Sequence, residues 1–516
     1  MTAARQYETL ELNFDGAAPA GSEASIRLVA EFTHDGKSTA VKGFYRGKGK
    51  YSVRFLPEET GDYTYRVTGE VKAEGSFTAA PSDEKHHGVV RPDGIHIRHE
   101  DGTWITTFGT TVYALAHQNK ALIDETIQSL KYSPFNKVRM CVFPKHYNYN
   151  HNDPEYYPFE KRSDGSWDPD HPCFAFWDAF EFRLNQLFDL GIQVDLILFH
   201  PYDRWGFASM PQSDNLTYLD YLIRRFAAYP NIWWSLANEY DLCLAKSMDD
   251  WCQIEEFVAS NDPYHHMLGN HQCFQPWPVE RKNVTHMSWQ TKQVSRVAEM
   301  QRKYGKPVMI DECRYEGTLP EYWGNMSAQD MTAQFWKTTV QGGYCTHGET
   351  FYPGEDEIVW WAKGGKLRGE SPSRIAFLRK IVERLPGPLD PCVRDLFTLF
   401  EGKTEEEIRA AIAKLPAEKR GFTAAVCALD PVERERFFHS EYTYAGHVGE
   451  KAYLWYLGDQ CPAVFPISLP ENGKYSVTVI DTWEMEKEKV LKDVSGGVTV
   501  RLPGKNYVAV LAEKTD

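Results

Sequence analysis

Apolar and polar positions alternate over residues 7–14, 25–32, 51–55 and 63–67, the period of two that turns one face of a strand to a core and the other to water. Asp35-Gly36, Gly47-Lys48-Gly49 and Glu59-Thr60-Gly61-Asp62 separate these runs with residues that favour turns. The pattern predicts a small antiparallel β-sandwich over residues 1–85. From about Gly94 it changes. Apolar runs of the kind buried on both faces occupy 104–113, 137–143, 193–199, 232–236, 266–269, 284–289, 307–310 and 343–346. Helical periodicity lies between most of them, at 122–131, 176–190, 216–229, 248–260, 294–304, 328–341 and 373–385. Eight buried strands with crossover helices predict an α/β fold, a (β/α)8 TIM barrel over 86–390. Pro276 and Pro278 interrupt the helix due after the fifth strand. The run Thr404-Glu405-Glu406-Glu407 predicts a capped helix inside a helical connecting segment, 391–445. Short strands at 454–456, 475–480, 498–502 and 507–511 predict a C-terminal β-sandwich over 446–516.

Length agrees with several domains, since 516 residues exceed one ordinary core. A formal charge of −15 argues against a nucleic-acid footprint, which needs a basic face. No apolar run is long enough to span a bilayer. The start, MTAARQYETLELNFDG, has no apolar leader, and ten Cys lie without paired spacing; reduced thiols in a cytoplasm are the expectation. Fifteen Trp and twenty-eight Tyr suit large cores and also stacking platforms for sugar rings.

Chemistry concentrates where the barrel strands should end, the rim on which such enzymes build their sites. The first run leads to Tyr113 and His117, the second carries Arg139 and is followed by His146, and the third ends in His200 and Tyr202. The fourth ends in Asn238-Glu239, the fifth in His271, the sixth in Trp289, and the seventh in Glu312 with Glu316 beyond; Trp360 and Trp361 follow the eighth. Cleaving a glycosidic bond takes one carboxylic acid to protonate the leaving oxygen and one carboxylate to attack. Glu239 and Glu312 fit those roles, at a separation of roughly 5–5.5 Å if the anomeric configuration is retained. Glu239 as acid/base needs a raised pKa, and Arg139 with His200 would keep Glu312 ionised. Asn238 would hold a sugar hydroxyl. The loop 144–173, with Tyr147, Tyr149 and Trp167, would wall one side of the pocket and favour chain ends, and its segment 168–172 reads as turn chemistry. No cofactor and no metal are expected: neither H-x-H after the first strand nor H-E-x-x-H occurs among the seventeen His. A metal-dependent barrel hydrolase and a non-catalytic glycan-binding scaffold are the competing readings.

With Arg139 on strand two, His200 after strand three, Asn238-Glu239 after strand four and Glu312 after strand seven, the chain resembles the clan A retaining glycoside hydrolases. The phrases Phe32-Thr33-His34, Val41-Lys42-Gly43-Phe44-Tyr45, Phe108-Gly109-Thr110-Thr111 and Ile480-Asp481-Thr482-Trp483 make it similar to bacterial three-part proteins with an apiosidase-like barrel. That resemblance implies an immunoglobulin-like N-terminal domain and a glycosidase acting on plant or microbial oligo- or polysaccharides. Two departures stand out. Clan members often carry a tyrosine after strand six where this chain has Ser288-Trp289-Gln290, and related barrels use an aspartate where this chain has Glu239.

Overall fold

The computed structural model describes residues 4–352, 359–392, 403–440 and 443–515. The parts of the expected connecting segment at 393–402 and 441–442 lie outside the described residues. The described chain forms two compact units, each considered by itself. The first runs to Thr291 and includes Tyr304–Ala328 and Cys345–Pro372; the second holds Lys292–Lys303, Gln329–Tyr344 and the residues from Ser373 on.

In the first unit, strands Ala4–Arg5, Ala73–Ala80, Gly61–Gly69, Leu28–His34 and Lys37–Lys42 form one sheet, and Leu10–Asp15, Lys50–Phe55 and Phe44–Tyr45 a second. The alternation explains the pairing: Leu28, Ala30 and Phe32 are buried while Val29 and Glu31 are exposed. Phe32 of one sheet stacks on Phe55 of the other at 4.0 Å. This sandwich is tied to the barrel helices by ions. Arg54 donates to Glu11 at 2.6 Å and to Glu181 at 2.5 Å, and Glu181 also accepts from Arg225 at 2.7 Å.

The barrel strands, one to eight, are Phe108–Thr111, Lys137–Cys141, Gln193–Phe199, Ile232–Ala237, Leu268–Gly269, Met287–Gln290, Val308–Glu312 and Tyr344–His347. They form one eight-stranded sheet in the order five, four, three, two, one, eight, seven, six, and the registered pairs are parallel. The Thr285 amide donates to the Leu268 carbonyl at 2.9 Å, linking the two ends of this order. Helices Lys120–Lys131, Phe174–Phe188, Gln212–Phe226 and Met248–Asn261 follow strands one to four. No helix follows strand five among the described residues; there Asp241 accepts the amides of Cys273, Phe274 and Gln275 at 2.7–2.9 Å, which fixes the loop that Pro276 and Pro278 keep from coiling. The loop after strand two also departs from expectation. It contains a hairpin, Phe159–Lys161 with Trp167–Pro172, so residues 168–172 are a strand and not a turn.

The second unit contains most of helices Val297–Tyr304, Ala328–Val340 and Ser371–Val382, and the three helices Glu405–Ala413, Ala417–Ala428 and Pro431–Ser440. Thr404 and Glu407 form the capping box their spacing implies. A six-stranded sheet and the pair Val464–Leu469 with Gly496–Arg501 close the chain around Tyr475, Val477, Val500 and Val510. No helix among the described residues is long and apolar enough to cross a membrane.

Candidate active site

Strands two, three and seven put polar side chains inside the barrel. Alternation sends Lys137 and Arg139 inward from one strand and Asp195 from the next. Lys137 donates to Asp311 at 2.8 Å and lies 3.2 Å from Asp195; Arg139 donates to Asp195 at 3.2 Å. Burial opposes the charge on Arg139, but Asp311, Asp195 and Glu312 overcome it and hold the guanidinium protonated. Asp311 is held ionised against its own burial by Lys137 and Arg139. The charges cancel beneath the mouth, where an unpaired ion would be costly.

Above this layer stands the carboxyl pair. Strands six and seven slip by one residue between Trp289 and Gln290, so that Gln290 faces Glu312, the kind of irregularity that re-aims a side chain. At the end of strand four Glu239 adopts φ 53°, a left-handed conformation that is strained for a residue with a Cβ and is typical of functional positions. A chain of hydrogen bonds joins the two carboxyls. The Tyr113 hydroxyl donates to Glu312 and lies 2.8 Å from Asn238 Oδ1, and Asn238 Nδ2 donates to Glu239 at 3.2 Å. Tyr202 also donates to Glu239. With its amide oriented to donate, Gln290 reaches the other Glu239 oxygen at 3.2 Å.

Glu312 carries the raised pKa. Burial and the charge of Glu239 push it up to about 7 against the opposing pull of Arg139, Tyr113 and Lys145. The expectation had placed the raised value at Glu239. Glu312 therefore keeps its proton up to near-neutral pH.

Arg139 Nη1 lies 3.7 Å from Glu312 Oε1 and opposes the rise in its pKa without cancelling it. His200 is not its companion: its Nε2 pairs with the Phe143 carbonyl at 3.2 Å, and burial with Lys145 lowers its pKa to about 3. The neighbour is His271. Its Nδ1 accepts the Glu239 amide at 3.3 Å, so the proton sits on Nε2, 4.0 Å from Glu312 Oε1. His271 is neutral, lowered by burial and by Arg139.

Trp361 packs with Tyr113, Tyr147, Tyr149, Tyr315 and Trp323 at 4.8–6.3 Å, forming an aromatic wall. Trp289 is buried on strand six, its indole N–H within 3.3 Å of the reoriented Gln272 amide oxygen. His146 lies in the partly exposed loop against His151 and Trp205. Three expectations are corrected. His117 stacks on Phe176 and pairs with the Cys141 carbonyl, a core role. Trp360 donates to Thr110 at 2.9 Å inside the core and does not line the wall. Glu316 accepts the amide of Glu370 at 2.9 Å and the Ser371 hydroxyl, because the chain turns after strand seven to pair Glu316–Gly317 with Glu349–Thr350.

Lys145 was missed. It is 1% exposed, with Nζ 3.4 Å from the Tyr113 ring centroid and 4.3–5.5 Å from those of Tyr147, Tyr202 and Trp361. Burial lowers its pKa, while Glu239 and Glu312 pull the other way. The only hint in the sequence was its position two residues beyond an apolar run.

A carboxyl pair at the mouth of a parallel barrel defines a class, the glycoside hydrolases, and the comparisons agree. Residues 92–385 match the family model described as apiosidase-like, catalytic domain; residues 3–70 and 442–512 match two models described as domains of unknown function, DUF5060 and DUF5605. The chain belongs to the apiosidase-like family. It is similar to a candidate glycoside hydrolase from Bacteroides vulgatus ATCC 8482, 31% identical over 100% of both chains with TM-score 0.85. A family 5 glycoside hydrolase from the same organism, 14% identical over 83% of this chain and 94% of its own, shares the fold at TM-score 0.60. A further glycoside hydrolase, 13% identical over 83% of this chain and 97% of its own, does so at 0.60. No curated protein matches the chain.

Proposed function

We propose that this glycoside hydrolase works with retention, by double displacement, on plant or microbial oligo- and polysaccharides, with Glu312 as nucleophile and Glu239 as acid/base. The observation that carries the reading is the set of buried polar atoms near the carboxyl pair that have no hydrogen-bond partner among the described residues: Arg139 Nη1, Tyr147 Oη, His271 Nε2 and Trp361 Nε1. Buried polar groups are normally paired. Converging on one mouth beside an aromatic wall, these suit a ligand with many hydroxyls and one flat face.

In this reading the bound sugar moves the Glu312 proton to Glu239. A leaving oxygen at Glu239 accepts it, and Glu312 attacks as the carboxylate, kept in place by Tyr113, Arg139 and Lys145. Water then releases the glycosyl ester with Glu239 as base. Asn238, held between Tyr113 and Glu239, faces the hydroxyl next to the reacting carbon. Tyr147, Tyr149 and Trp361 close one side of the pocket and favour chain ends, while the exposed Phe274 ring offers a platform for the leaving sugar. Ten thiols, all free of disulfides, suit a reducing cytoplasm.

A panel of aryl glycosides and plant oligosaccharides identifies the substrate, and two variants then test the roles. Glu312→Ala should abolish turnover, with azide restoring part of it as the glycosyl azide of inverted configuration. Glu239→Ala should lower kcat/KM by about 10²–10⁴ on poor leaving groups and far less on activated aryl glycosides. Equal losses on both substrates would rule out Glu239 as the acid.

A further inference from the structure

Beyond strands seven and eight lies a second cluster, away from the carboxyl pair. The segments Glu316–Gly317 and Glu349–Thr350 run parallel and bring Glu316, His347 and Glu349 together, all at most 2% exposed. One ligand atom from each lies within 4.8 Å of the others. His347 Nε2 stands 3.6 Å from Glu349 Oε1 and 4.0 Å from Glu316 Oε2, and it has no hydrogen-bond partner among the described residues. These gaps exceed the 2.7–3.2 Å of an N–H···O bond. An ion about 2.1 Å from each ligand spaces tetrahedral neighbours ~3.4 Å apart, so the three groups, 3.6 Å to at most 4.8 Å apart, would draw together around it. Among the described residues His347 is the close basic neighbour of both carboxylates, and Arg368 acts on Glu349 from farther away.

The surroundings orient the three groups. His347 Nδ1 is 3.1 Å from Thr110 Oγ1, and its ring stacks on Phe135 at 4.7 Å. Glu349 accepts the amides of Arg368 and Gly369 at 2.7 and 3.0 Å, while Glu316 accepts that of Glu370 at 2.9 Å and the Ser371 hydroxyl. Gly369 permits this approach, since a Cβ there would stand 2.5 Å from a Glu316 oxygen. Hydrogen bonds that fix a histidine through its second nitrogen, and carboxylates through backbone amides, are the support that metal ligands receive.

We propose that Glu316, His347 and Glu349 bind a divalent first-row transition ion, with Zn2+ as the leading occupant. Imidazole among the ligands selects such ions over Ca2+ and Mg2+. In the binding tautomer His347 carries its proton on Nδ1 toward Thr110 and turns the Nε2 lone pair to the ion. The ion neutralises two buried carboxylates and pins strand ends seven and eight to residues 368–371, which steadies Tyr315 in the aromatic wall.

The test uses the full chain, stripped with a chelator, dialysed and titrated calorimetrically with ZnCl2 or MnCl2. One equivalent of Zn2+ should bind, and a hundred-fold excess over Kd should raise Tm by about 3 °C. His347→Gln and Glu349→Gln should each weaken binding at least ~10-fold. Glu312→Gln should keep the parental stoichiometry, because the mouth is the competing site. No binding by the stripped parent, or parental affinity in both cluster variants, overturns the proposal. Should those variants not fold, Co2+ loading of the parent decides. Ligand-field bands without thiolate charge transfer support the site; a thiolate band, or no bands, refutes it.

Discussion

Glu312 and Tyr113 set the behaviour of the site at the scale of single residues. The Tyr113 hydroxyl lowers the Glu312 pKa while burial and Glu239 raise it. Tyr113→Phe removes the lowering contact, so Glu312 holds the proton that catalysis uses up to higher pH. The basic limb of kcat/KM, where the Glu312 proton is lost, should move up by about one unit, as a pH–rate profile reads; an unmoved limb would detach Tyr113 from the nucleophile. The same group makes a prediction about stability. The folded pKa of Glu312 is raised above the ordinary glutamate value of 4.5 to about 7, so its contribution to stability is full below about 4.5 and is lost as the pH rises through about 7. Glu312→Gln should therefore be more stable than the parent at pH 8, by ~2 kcal/mol, with the gain shrinking toward pH 5. Denaturant melts at both pH values check it, and a variant less stable at pH 8 contradicts it.

Elements were legible where periodicity was strong. Buried strands such as Ile232–Ala237 announce themselves as apolar runs, and the described helices start within a few residues of where their patterns begin. Side-chain direction was not legible. His200 and His271 look alike after their strands, yet one pairs with the Phe143 carbonyl and the other faces Glu312. Glu316 follows a rim strand in sequence, but backbone pairing carries it away from the mouth. Lys145 was hidden because a lysine in a loop reads as solvated; only the rings of the folded site reveal it as buried. The helix after strand five failed for a readable reason, two prolines, although the Asp241 amide cluster that replaces it left no pattern. Among the elements, the ion cluster between sandwich and barrel is the firmest test. Glu181 accepts from both Arg54 and Arg225, so Glu181→Ala leaves two buried guanidiniums short of a partner. Unfolding in urea should show a loss of ~3–5 kcal/mol. A loss below ~1 kcal/mol would mean that Glu11, which accepts from Arg54, and Asp178, which accepts from Arg225, take over.

On the scale of the whole molecule, the barrel joins contributions from strands far apart in sequence. Tyr113 from strand one, Glu239 from strand four, His271 from strand five and Glu312 from strand seven meet only because the sheet curls until its ends approach. Eight runs were enough to foresee that closure, and closure alone makes distant carboxyls neighbours. The specific sugar depends on loops whose side chains the periodic pattern does not reach. Covalent trapping tests the central claim most directly. Once the panel has supplied a substrate, its 2-deoxy-2-fluoro analogue with an activated leaving group is incubated with the parent enzyme, and the labelled peptide is mapped by mass spectrometry. The account predicts one glycosyl adduct, on Glu312. An adduct on another residue, or no adduct together with inversion of the natural substrate's anomeric configuration, would contradict it.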